Sequence, residues 1–101
     1  MIDKRLVLLN EIDNVLVCCK HLNIGTLIEV DGEEISLSSP IDVGHKLARY
    51  SINESEKVMK YGVPIGSATQ FILKGEHIHV HNMKSDYISS HSRQSKIGGT
   101  K

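Results

Sequence analysis

The chain has 101 residues, room for one domain with a modest core, and its 40% hydrophobic and 24% charged content reads as a folded globular protein rather than a disordered one. Twelve basic residues balance twelve acidic ones, so no general positive field draws in nucleic acid or an anionic membrane. With three Tyr, one Phe and no Trp, there is little with which to stack bases or sugar rings.

Asp3, Lys4, Arg5 and Glu11 interrupt the start of the chain, and no apolar run approaches the roughly 20 residues of a membrane span, so neither an export signal nor a membrane anchor is read. Leu6, Leu9, Ile12 and Leu16 recur at helical spacing, but Val15, Leu16 and Val17 follow the turn signal Asp13-Asn14 and equally suit a buried strand. A strand is expected over 15–20. Cys18 and Cys19 would point to opposite faces of that strand, which disfavours a mutual disulfide; two thiols without an export signal point to the cytoplasm.

The strongest local signal is 26–37, where two apolar-rich runs flank Asp31-Gly32, as a type I′ hairpin requires. Ile28 then faces Ile35, although Glu29 faces Glu34, which leaves a longer loop open. A weak repeat emerges on the glycines: Leu22-Asn23-Ile24-Gly25, Ile41-Asp42-Val43-Gly44 and Ile72-Leu73-Lys74-Gly75, with a further copy, Ile52-Asn53-Glu54-Ser55, carrying Ser at the glycine position. Each copy reads as a turn feeding a strand, at 26–30, 45–50, 57–61 and 77–81. Lys60 to Gly66, with two glycines and a proline, reads as a rigid loop. Many short strands and no long amphipathic helix make an all-β domain over 1–83, followed by a flexible tail over 84–101 rich in Ser, Lys and Gly. Short edge strands leave self-association into a homo-oligomer open.

The most unusual run is His77-Ile78-His79-Val80-His81-Asn82. In a strand the three histidines share one face and Ile78 and Val80 face the core, with imidazoles spaced roughly 6.5–7 Å apart along the chain. Such a set can converge on a metal ion or an anionic substrate, or it is simply a solvated face. His45 and Lys46, after Gly44, point to opposite faces; a histidine there suits general acid or base work and a lysine suits a carboxylate. Phosphate-loop, Cys-x-x-Cys, Gly-x-Ser-x-Gly and His-Glu-x-x-His patterns are all missing.

Three segments, Gly44-His45-Lys46-Leu47-Ala48, then Val58-Met59-Lys60-Tyr61-Gly62 with Ile65-Gly66 and Ala68-Thr69, and finally Gly75 to Asn82, together resemble the SAF domain of the altronate and galactarate dehydratase family. Asp13-Asn14-Val15 resembles that family's opening, so the likeness covers most of 13–83. The resemblance implies a SAF-type β-clip fold. It also implies a carbon-oxygen hydro-lyase, which removes a proton beside a carboxylate and expels a β-substituent to give a 2-keto-3-deoxy acid.

Complete dehydratases of this type continue into a larger catalytic region, so the resemblance implies a small accessory subunit, inactive alone, working with a large dehydratase-like subunit on a sugar acid. A two-subunit sulfolactate sulfo-lyase is similar and would make sulfite the leaving group; a non-catalytic SAF module binding a carbohydrate or sugar acid is the other reading. By resemblance, His45, His77 and His79 are expected as catalytic residues and Lys46, Lys60, Thr69 and Asn82 as substrate contacts. His77, His79 and His81 are expected as ligands of a divalent metal, iron or manganese, shared with the large subunit. Ser55 stands where glycine is usual, and 50–57 diverge, so substrate identity does not carry over.

Overall fold

The computed structural model describes residues 1–86, and these are all-β. In chain order the strands are β1 (Leu6–Val7), β2 (Val15–Cys18), β3 (Leu27–Val30), β4 (Glu33–Ser36), β5 (Lys46–Ala48), β6 (Lys57–Lys60), β7 (Val63–Ala68), β8 (His77–Ile78) and β9 (Met83–Lys84). They form a four-stranded sheet in the order β1-β2-β5-β8, the hairpin β3-β4, and a three-stranded sheet β6-β7-β9, with every pairing antiparallel.

The glycine-phased repeat is a structural unit. Its first residues pair with one another: Leu22 bridges Ile41 through reciprocal backbone bonds of 2.9 Å, and Ile52 bridges Ile72 through bonds of 2.8 Å. All four of these apolar side chains are buried. Three residues later, Gly25, Gly44, Ser55 and Gly75 all take left-handed backbone angles, φ 84°, 82°, 72° and 85°. That conformation is nearly free for glycine and strained for serine. The amino terminus carries a copy the glycine phasing misses: Ile2 bridges Val30, and the Leu6 N–H donates to the Asp3 carbonyl as Thr26 N–H does to Asn23.

These turns stack the chain around two apolar clusters that meet at the central pair β2-β5. Leu16, Cys18 and Leu47 pack into one with Leu22, Ile28, Val30, Leu37 and Ile41. Val15 and Ala48 pack into the other with Ile52, Val58, Ala68, Ile72 and Ile78. The register Val15↔Ala48 and Leu16↔Leu47 explains the split, because pairs one residue apart face opposite sides of a sheet. Ile12 is 59% exposed while Leu6 and Leu16 are buried, so the helical stripe at the amino end is a coincidence of spacing and the strand reading holds.

The 26–37 hairpin has the expected turn and register, with Asp31 at φ 53°, Gly32 at φ 85° and Ile28 opposite Ile35. The other strands are shorter than expected: β2 stops at Cys18, where a bend leads to the Leu22 bridge, and β5 and β6 stop at Ala48 and Lys60. Cys18 is buried, which pushes its thiol up to about 11, whereas Cys19 is exposed; neither forms a disulfide.

Two expectations are corrected. The stretch from Lys60 to Gly66 is a tight hairpin rather than a loop, because Tyr61 (φ 58°) and Gly62 (φ 76°) both turn left-handed and β7 begins at Val63. Pro64 is accommodated because the pairing shifts at Val58/Met59, a bulge where a ladder donor is dispensable. The domain also runs past residue 83. Ser67 and Ala68 in β7 pair with β9, Gly66 packs against the Lys84 carbonyl with no space for a Cβ, and the Asp86 carboxylate accepts from Ser67 Oγ and Lys57 Nζ (2.6 Å). The rest of the expected tail lies outside the described residues. Among the described residues no helix is long and apolar enough to cross a membrane.

Candidate histidine site

The site begins with the β5-β8 pair, whose register puts His77 opposite Leu47 and Ile78 opposite Lys46. Ile78 is buried in the second apolar cluster, which leaves the neighbouring His77 side chain half-buried at the sheet edge. His45 stands at the entry to β5, straight after the left-handed Gly44, and its Nδ1 lies 3.3 Å from His77 Nε2. The two turns that launch β5 and β8 therefore deliver one histidine each to the same place.

Beyond Ile78 the chain does not continue as a strand. His79 to Asn82 form a turn, in which the Asn82 and Met83 N–H groups donate to the His79 carbonyl at 3.1 and 2.9 Å. The expected alternation therefore fails: Val80 is 80% exposed rather than core-facing. Folding back nevertheless gathers the histidines. The rings of His77 and His79 are nearly parallel at 5.7 Å, His45 is 5.4 Å from each, and His81 is 5.7 Å from His77.

One ligand nitrogen from each of His45, His77 and His79 can be chosen so that all lie within 4.8 Å of one another. This geometric group differs from the expected set in containing His45 rather than His81, which lies beside His77 at the margin. The trio is legible only in part from the run 77–81, because His45 enters through strand pairing rather than sequence proximity.

One lysine, Lys46, acts on the trio through His77. Lys46 is half-buried, and burial first, then the nearby Lys60 charge, hold its ammonium below the usual lysine range. His77 is likewise held below its ordinary value of 6.5, first by burial and then by the positive charges His45, His81, His79 and Lys46 would carry. The local field favours an unprotonated imidazole at His77 and a negative guest near the lysines.

The remaining expected contacts divide. Lys60, at the end of β6, reaches over the Tyr61 ring at 5.6 Å and faces Lys46 electrostatically. Thr69 is exposed, and its N–H donates to the Asn82 carbonyl at 2.9 Å, which places it against the histidine turn. Asn82, expected to touch substrate, is instead fully buried beneath the turn with its amide spent on backbone groups. Asp13 and Asn14 brace the β6-β7 hairpin from β2's entry: the Asp13 carboxylate accepts from the Tyr61 and Gly62 N–H groups at 3.0 and 2.8 Å, and Asn14 Oδ1 accepts from Met59 N–H at 2.8 Å. That brace fixes where Lys60 ends.

The family model of the altronate/galactarate dehydratase SAF domain matches residues 4–86, which ends where Asp86 closes the β7-β9 edge and includes every histidine of the cluster. The chain belongs to this SAF domain family. Its SAF domain is 41% identical over 83 residues to altronate dehydratase of Bacillus subtilis, covering 82% of this chain and 17% of that protein. Against altronate dehydratase of Escherichia coli the identity is 37% over 78 residues, covering 77% and 16%. Against the (2R)-sulfolactate sulfo-lyase subunit alpha of Chromohalobacter salexigens it is 46% over 52 residues, covering 52% of this chain and 55% of that subunit. The chain thus spans under a fifth of the two altronate dehydratases and about half of the sulfo-lyase subunit.

Proposed function

We propose that this SAF domain is the accessory part of a lyase acting on sugar acids, and that it supplies the His45, His77 and His79 cluster to an active site completed by a large dehydratase-like polypeptide. The observation that carries the reading is the convergence of three imidazoles, within 4.8 Å, on a domain whose relatives are named dehydratases and a sulfo-lyase. Three neutral nitrogen donors with no carboxylate among them suit iron(II) or a similar borderline ion better than manganese, which prefers oxygen. Bound there, such an ion would supply Lewis-acid stabilisation of the charge that builds on the substrate carboxylate. Lys46 and Lys60 are suited to receive that carboxylate, since mutual repulsion is relieved when an anion sits between them. His81 stands exposed at the margin, where a general acid or base would meet substrate from solvent.

The likeness to the sulfo-lyase subunit supports a second leaving group, sulfite in place of water. Both are tested by tagging this chain at Met1 in its native host, recovering it with its partner, and assaying 2-keto acid release from a panel of sugar acids and from sulfolactate. The expected result is release that requires this chain and is lost in His79→Ala. A partner fully active without the chain contradicts the accessory role, and a chain recovered alone that binds sugar acids without turnover favours a binding module.

A further inference from the structure

Asn82 is 0% exposed, and its amide joins the backbones of two members of the histidine trio. Oδ1 accepts from the His79 N–H at 2.9 Å, and Nδ2 donates to the His77 carbonyl at 2.9 Å. These partners fix the amide orientation, since one offers only a hydrogen and the other only lone pairs. The backbone of Asn82 is engaged as well: its N–H donates to the His79 carbonyl at 3.1 Å and its carbonyl accepts from Thr69 at 2.9 Å. The turn itself is already closed by the His79 carbonyl, which accepts from both Asn82 and Met83. The side chain adds something the turn bonds do not: a link back to His77, in the strand before the turn.

We infer that Asn82 is a positioning residue for the histidine site, locking the His77 and His79 backbones so that their rings stand nearly parallel, 5.7 Å apart and 6° from coplanar orientation. This rests on the reading of the trio as a metal-holding site. A buried amide that satisfies one donor and one acceptor has no equal among the other side chains of similar volume: Asp keeps the acceptor but sets a carboxylate against the His77 carbonyl, and Ala leaves both backbone groups without a partner. Residues that orient ligands in this way commonly alter metal affinity by about 10–100-fold when replaced.

The test compares the wild-type chain with Asn82→Asp and Asn82→Ala, and with Ser67→Ala as a control that removes a buried polar contact, to Asp86, that touches neither the His77 nor the His79 backbone. Co2+ serves as a spectroscopic probe of the site, and cross-relaxation between the His77 and His79 ring protons reports their geometry without metal. The expected result is a Co2+ affinity about 10–100-fold weaker in both Asn82 variants, with the ring cross-relaxation lost and both properties retained in Ser67→Ala. Should Asn82→Ala fail to fold, the near-isosteric Asn82→Asp decides. Unchanged ring geometry and Co2+ affinity in the Asn82 variants, or equal losses in Ser67→Ala, would overturn the inference. A wild type that binds no Co2+ while the Asn82 variants still lose the ring contact would leave Asn82 a positioning residue and remove the metal reading alone.

Discussion

His77 concentrates the chemistry of the site in one side chain. Half-buried, 3.3 Å from His45 and beside His79, His81 and Lys46, it resists protonation in the folded state. Its folded value lies below the ordinary 6.5, so the contribution it makes is present above that pH and is lost as the pH falls through the folded value, because the unfolded chain then binds the extra proton. Urea midpoints measured against pH with a chelator present should therefore fall more steeply on acidification below 6.5 in wild type than in His77→Gln. Parallel curves would show that neither burial nor the neighbouring charges hold His77 below its ordinary value. The sequence made the histidines conspicuous but hid what joins them: periodicity along 77–81 places side chains on a face, whereas the contact with His45 depends on the β5-β8 register, and the recruitment of His79 depends on a turn that begins where a strand was expected.

At the scale of elements, the repeated bridge, turn and strand accounts for most of the fold. Four left-handed turn positions follow four buried apolar bridge residues, and the one non-glycine among them, Ser55, sits at φ 72° with its side chain exposed. Ser55→Gly should raise stability by ~1 kcal/mol, and Gly25→Ala, which meets no neighbour and so adds strain alone, should lower it by a similar amount. Urea unfolding at one pH checks both; equal midpoints for all three proteins would mean the turns relax freely. This repeat was readable because glycine marks left-handed backbone directly. The β6-β7 hairpin was not, since Tyr61 occupies a left-handed position usually held by Asn, Asp or Gly, and Pro64 inside β7 mimics a loop signal.

At the scale of the whole molecule, two apolar clusters either side of the β2-β5 pair carry the fold, and the histidine site lies at the edge of that pair, where β8 joins it. The site is exposed at His79 and His81, and the Lys46 charge acts on His77 within it. The all-β class and the SAF family could be read from short strands, turn glycines and the spacing of three motifs. The extent of the domain could not, because Asp86 enters through side-chain bonds to Ser67 and Lys57 that leave no pattern in a Ser- and Lys-rich segment. The most direct test of the account is the metal content of the full chain purified with iron(II) under anaerobic conditions, beside His45→Ala, His77→Ala and His21→Ala, the last an exposed histidine bonded to Asp42 and not a member of the trio. The account predicts a bound ion in wild type and His21→Ala and its loss in the other two; wild type without metal, or equal loading in all four, would contradict it.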